Sequence, residues 1–251
     1  MLMGSGIKVG AAMAREYIGP MFRRLLQGIS RHVPSQCAVC HRWPARPVCD
    51  ACVQAFAQPQ PRCRTCALPL PTGMAQCGKC VTEPPPLDQC LGAVAYAYPW
   101  SSLVVEFKFQ THTGWATSFA TLMRSAPWVE PALDAADLLI PMPLSRQRLL
   151  ERGFNQTLVL SRALAPDLTA QDVLLRVQDA PPQSALLRED RLKNVKNAYA
   201  LDPLQAHRVA NKRVVLLDDV MTSGASLHAA ARVLRAAGAA HITGLVFART
   251  E

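Results

Sequence analysis

Two sets of residues carry most of the chemistry in this 251-residue chain: eight of its nine cysteines, and one acid-and-hydroxyl string near its C-terminus. The cysteines form four CxxC pairs, Cys37/Cys40, Cys49/Cys52, Cys63/Cys66 and Cys77/Cys80, with 8, 10 and 10 residues between successive pairs. A CxxC turn aims two thiolates at one point, and two such turns complete a tetrahedral zinc shell. Eight ligands therefore predict two zinc sites, structural because a closed sulfur shell leaves no position for substrate. A disulfide framework would need an oxidising compartment, and no export signal is legible. A redox CxxC would appear once, beside a βαβ unit. Spacing leaves open whether neighbouring pairs share a metal, giving tandem ribbons, or alternate pairs do, giving a cross-braced module. His41 and Cys90 are spare donors that eight thiolates make unnecessary.

The second set is VVLLDDVMTSGASL, residues 214–227. Four aliphatic residues suit a buried parallel strand, which is expected to stop at Asp218 and Asp219. Two carboxylates at a strand tip suit the vicinal hydroxyls of a ribose. Thr222, Ser223, Gly224, Ala225 and Ser226 then form a small-residue loop opening a helix. Its amides and hydroxyls can wrap a monophosphate, and Gly224 allows the backbone to approach closely. GxxxxGK[ST] and GxGxxG are absent, so neither a nucleoside triphosphatase nor a dinucleotide fold is supported.

Such residues need a scaffold. From about residue 91 the pattern alternates, with strands expected at 93–98, 138–141, 214–217 and 241–248, and helices at 153–165 and 226–237. Strands interleaved with helices imply an α/β domain with a mainly parallel sheet flanked by helices, which binds ligands at the carboxyl ends of its strands. The expected organisation is an N-terminal extension with a short amphipathic helix (1–33), a double zinc-ribbon module (34–83), a Pro-rich linker (84–92) and the α/β domain (93–251). Residues 21–31 place Met21, Phe22, Leu25, Leu26 and Ile29 on one helical face, suited to docking on the zinc region or to lying on a membrane surface. The apolar runs are too short for the roughly 20 residues of a membrane-spanning helix. Net charge is +9, with a surplus of six in residues 1–100 and three in the remainder. A basic N-terminal third suggests a polyanion partner. Around the cysteines, Arg42, Trp43, Arg46, Arg62, Arg64 and Lys79 could track a phosphate backbone and stack a base, although Trp43 equally suits packing.

The string at 214–227 resembles the phosphoribosyl-pyrophosphate (PRPP) motif of type I phosphoribosyltransferases. Further segments narrow the likeness: Leu138-Leu-Ile-Pro-Met-Pro-Leu144 with Arg146 and Arg148, Arg152-Gly-Phe-Asn-Gln156, Phe107-Lys-Phe109, Gln183, and Arg191-Leu-Lys-Asn-Val-Lys-Asn-Ala-Tyr199. With the cysteine knuckles they resemble the ComF family of bacterial competence proteins from about residue 34 to the end. Met142, Tyr199, Ser223 and Ser226 depart from the family pattern while keeping size class or hydroxyl. The resemblance implies a zinc module fused to a phosphoribosyltransferase domain, serving DNA uptake in natural transformation or the use of imported DNA. The implied partners are PRPP, single-stranded DNA and membrane-associated uptake proteins, and the implied location is cytoplasmic, at the inner face of the membrane.

In a catalytic domain, Asp218 and Asp219 would hold the ribose hydroxyls and favour an oxocarbenium-like sugar, while residues 222–226 anchor the 5′-phosphate. Mg²⁺ would bridge ribose and pyrophosphate, helped by Arg146, Arg148, Arg152, Arg191 and Lys193. The stretch 188–193 could close over the site. Asn155 and Gln156 either orient substrate or cap the helix near residue 153. A non-catalytic PRPP-sensing adaptor and a nucleobase-salvage enzyme are the competing readings, the latter without use for eight cysteines.

Overall fold

The computed structural model describes residues 35–110, 112–177 and 198–251, and the chain divides into compact units between Pro47 and Val48. The extension at 1–33, the helix at 21–31, Gln183, Arg191 and Lys193 lie outside the described residues. Among the described residues no helix is long and apolar enough to cross a membrane.

In the first unit, Ser35 and Ala45 exchange backbone hydrogen bonds at 3.0 and 2.7 Å. Between them the Cys37 amide donates to Arg42 O and the His41 amide to Cys37 O, with His41 at φ 58°. The second unit repeats this turn: the Cys63 amide donates to Leu68 O, the Ala67 amide to Cys63 O, and Ala67 has φ 56°. The other two pairs open short helices, α1 (Asp50–Phe56) and α2 (Gly78–Thr82), with Cys49 and Cys77 as extended N-cap residues. Knuckle followed by short helix is thus the repeating unit of this region.

Four parallel strands form the main sheet in the order β1 (Gln89–Ala95), β6 (His241–Arg249), β5 (Arg213–Met221), β2 (Leu138–Pro141). Strands β3 (Leu174–Arg176) and β4 (Tyr199–Leu201) form a separate antiparallel pair. The central position of β6 explains why eight of its nine residues are buried, since a strand covered on both faces reads as a continuous apolar run. Strand β1 starts at Gln89, inside the stretch expected as linker and earlier than the expected 93–98. The short apolar run 91–100 is split, its end opening a helix at Trp100.

Side chains alternate across a strand. Val214 and Leu216 share a core with Leu227, Ala230 and Leu234 of α8 (Ala225–Ala236) and with Tyr199 of β4. The opposite face meets α3 (Trp100–Phe109), α4 (Trp115–Ser125) and, beyond α5 (Val129–Asp134) and α6 (Arg146–Arg152), α7 (Gln156–Leu164). Aromatic rings lock this layer to β6. Phe247 stacks on Phe119 at 3.9 Å and meets Trp100 edge-on at 6.0 Å, and Phe119 in turn meets Phe107 at 5.5 Å. Edge-to-face and offset pairs of this kind add about 0.5–1.5 kcal/mol each beyond burial.

The second ribbon is part of the same core. Cys63, Cys66, Cys77 and Cys80 pack in one cluster with Leu216, Met221 and Val246. The Cys90 amide of β1 donates to Arg64 O at 2.7 Å, and the Arg249 Nε of β6 donates to Cys66 O at 2.9 Å.

Candidate functional site

The string 214–227 lies at the carboxyl end of the sheet, but β5 does not stop at its acids. It runs on through Met221, because β6 continues beside it and pairs Val220 with Ala248 and Met221 with Arg249. Asp218 and Asp219 therefore sit within an extended strand and face opposite sides of the sheet. This corrects the expectation of two carboxylates presented together at a tip. Asp218 is half-buried and shares the side of Leu216, α8 and Tyr199. Asp219 is 3% exposed and turns towards α3, where Lys108 Nζ lies 3.0 Å from its Oδ1. Its Oδ2 is buried with no partner among the described residues. The Asp219 amide donates to Asp218 Oδ1 at 2.9 Å. Burial, reinforced by the adjacent Asp219 carboxylate, pushes the Asp218 carboxyl up to about 7.

Beyond the acids, Thr222 and Ser223 are exposed, and Gly224 turns the chain at φ 78° into α8, which starts at Ala225. The left-handed φ favours glycine there, and a Cβ at Gly224 would stand 2.4 Å from Met221 Cε and 2.9 Å from His228 Nε2, displacing both side-chain tips. The Ala225 amide donates to Ser223 Oγ at 3.4 Å. Burial, then the charge of Arg232, holds the His228 imidazole down at about 4. The Tyr199 hydroxyl accepts from Arg176 Nη1 at 3.3 Å; burial raises its pKa against the opposing pull of Arg176 and of a hydrogen bond with Ser226.

The loop after β2 supplies cations. Ser145 caps α6, its hydroxyl accepting from the Arg148 amide at 3.3 Å. Arg152 ends that helix with its guanidinium 4.8 Å from the Phe109 ring centroid. Burial lowers the Arg152 pKa, while the charges of Asp219 and Asp218 oppose the shift. Arg148 lies within the electrostatic reach of both Tyr199 and Arg152, and Arg146 is exposed at the start of α6. Asn155 is a cap: its Oδ1 accepts from the Thr157 and Leu158 amides at 2.9 and 3.3 Å, and its Nδ2 donates to Met142 O at 3.1 Å. Gln156 is 4% exposed, with its Oε1 lacking a partner among the described residues. Lys108 is the site residue that sequence reasoning missed; its place in Phe107-Lys-Phe109 was the available signal.

The cysteines group sequentially, Cys37, Cys40, Cys49 and Cys52 in one set and Cys63, Cys66, Cys77 and Cys80 in the other, with ligand atoms within 4.8 Å of one another in each. The choice between tandem and cross-braced pairing is thereby made. Zinc–sulfur bonds of ~2.3 Å in a tetrahedron set sulfurs about 3.8 Å apart, and Cys66 Sγ and Cys77 Sγ are separated by 3.7 Å. The donor sets fit zinc, and neither includes His41 or Cys90. Burial raises the Cys63 thiol, but hydrogen bonds from the Cys77 amide and from Thr65 outweigh it and bring the pKa down to about 6. Of the neighbouring basic residues, Arg42, Arg46, Arg64 and Lys79 are exposed, as is Trp43 at 62%. Arg62 instead turns inward and donates to Ala67 O at 3.0 Å.

Residues 163–250 match the phosphoribosyl transferase domain family model. The chain is 30% identical over 229 residues to the DNA utilization protein YhgH of Salmonella typhimurium, covering 87% of this chain and 98% of that protein. It is 31% identical over 205 residues to competence protein F of Haemophilus influenzae, covering 78% and 87%. It is also 34% identical over 107 residues to competence protein ComFC of Bacillus subtilis, covering 43% and 42%.

Proposed function

Because the chain belongs to the ComF family, we propose that it binds PRPP at the end of β5 and acts in the uptake or use of DNA. The observation that carries this reading is the junction of β5 with α8. There an acid, a hydroxyl-bearing turn and the first amides of a 12-residue helix follow one another on one side of the sheet. The 5′-phosphate would take the amides and hydroxyls of residues 222–226, in the partial positive field of the helix start. Asp218 faces the same side and would receive the ribose hydroxyls. Arg148 and Arg152 would meet the pyrophosphate as fixed cations.

Asp218, on the side of the phosphate-binding turn, would hold Mg²⁺ together with the ligand's own oxygens, where the ion would supply charge neutralisation for departing pyrophosphate. Lys108 would fix the position of the Asp219 carboxylate through their 3.0 Å ion pair, an arrangement set before reaction. Closed thiolate shells give the zincs a structural role. In the first unit, Arg42, Trp43 and Arg46 present an aromatic ring among cations on an exposed turn, a surface suited to single-stranded DNA.

The test is to incubate the protein with PRPP, Mg²⁺ and oligonucleotide or nucleobase acceptors, measuring PRPP binding and pyrophosphate release together. Acceptor-dependent release supports transfer. Binding without release from any acceptor leaves the PRPP-responsive adaptor, and absence of binding removes the reading. For DNA, W43A should weaken binding of short single strands at low and high salt alike, and unchanged affinity would exclude this surface.

A further inference from the structure

Arg249 is a charged side chain in the core, 7% exposed at the end of β6. Its Nε donates to Cys66 O at 2.9 Å, and its Nη1 donates to Met221 O at 3.2 Å, to Thr250 Oγ1 at 3.1 Å and to Thr250 O. Every partner is neutral, and no carboxylate among the described residues forms an ion pair with it. A guanidinium cannot shed its proton, so a buried one requires counter-charge. Arg62 lies within electrostatic reach of both Arg249 and Glu251, and it too donates to a knuckle carbonyl, that of Ala67, at 3.0 Å. Two cations therefore converge on the second four-cysteine set, whose members are all buried. Zinc bound by four thiolates has two negative charges in excess, which these two arginines offset with one positive charge each.

We propose that Arg249, with Arg62, is the counter-cation of the second zinc–thiolate centre, and that it thereby positions the phosphate-binding turn. The guanidinium that faces the ribbon through Cys66 O also holds the carbonyl of Met221, the last residue of β5. Met221 packs against the turn closely enough that its Cε would clash with a Cβ at Gly224. With the metal gone, Arg249 is left with neutral hydrogen-bond partners only. Arg249 then relaxes outward, and the Met221 anchor is released with it. The link to the turn rests on the PRPP reading above; the counter-cation does not.

Zinc release from the full chain into a chromogenic chelator tests both parts. Two phases are expected, the slower from the second set, since Cys40 of the first is exposed. R249M should speed the slow phase by about 10–100-fold, the usual effect of losing an outer-shell partner, while R249K, which keeps the charge, stays near wild type. Unchanged release from R249M overturns the counter-cation. So does equal loss in R249K and R249M, which would assign the role to carbonyl bracing. If R249M does not fold, R249K against wild type decides on the same terms. Saturating PRPP with Mg²⁺ should slow the slow phase in wild type but not in R249M, as coupling between sites is reciprocal. PRPP that binds without altering release overturns the link to the turn. PRPP that does not bind removes the proposed function and this link together, and the release rates still decide the role of Arg249.

Discussion

Replacing Lys108 by Met tests whether the charge on Asp219 is held by a single partner. Asp219 is 3% exposed, one of its oxygens has no partner among the described residues, and the other lies 3.0 Å from Lys108 Nζ. Removing one member of a buried pair costs about 3–5 kcal/mol, because the other charge stays buried and uncompensated. The Lys108 side chain keeps 19% of its exposure, so water can partly replace it, and the lower end, about 3 kcal/mol, is the expected value. For a chain of this size each kcal/mol shifts Tm by roughly 2–4 °C, giving a fall of about 6–12 °C by calorimetry. D219N in the K108M background should recover most of that loss, since it removes the charge and leaves the shape. A K108M protein melting within about 1 °C of wild type, or a double variant no more stable than K108M, would refute the argument.

Three further outcomes follow from the same site. Asp218 has a folded pKa of about 7 against an ordinary 3.8, so the folded chain keeps a proton that the unfolded chain has released. Stability should fall as pH rises between those values, and D218N should flatten that slope in chemical denaturation. G224A forces an alanine into φ 78° with its Cβ 2.4 Å from Met221 Cε; PRPP affinity by calorimetric titration should drop at least ~10-fold, with about 1–2 kcal/mol of lost stability. N155A removes the cap of α7 and the bond to Met142 O, and should lower unfolding free energy by about 1–2 kcal/mol while leaving metal content unchanged.

Much of this arrangement was legible because local chemistry dictated it. The spacing of four CxxC pairs announced two four-sulfur groups, which the structure assembles, and residues 138–141 form the expected strand. The hydroxyl-rich turn likewise announced a helix start, which the structure places one residue earlier, at Ala225. What escaped depended on partners far along the chain. Strand β5 outlasts its aliphatic run only because β6 accompanies it to Arg249, so the opposite facing of Asp218 and Asp219 could not be read from their adjacency. Lys108 and Asp219 are joined by packing across the sheet. Arg249 lies just past the strand expected at 241–248, and nothing in its sequence neighbourhood signals that Cys66 and Met221 enclose it. The left-handed residues His41 and Ala67 carry no glycine to mark them, so the conformation that the two knuckles share was not legible.

The ring cluster beneath α3 has a consequence for anyone mapping this protein by mutation. Phe119 is wholly buried, touches Phe107 and Phe247, and lies in an apolar contact set. Phe107 immediately precedes the lysine that holds Asp219. Trimming Phe119 would let Phe107 sink and swing its neighbour off the carboxylate, so a purely hydrocarbon lesion would register as damage to the polar end of the sheet.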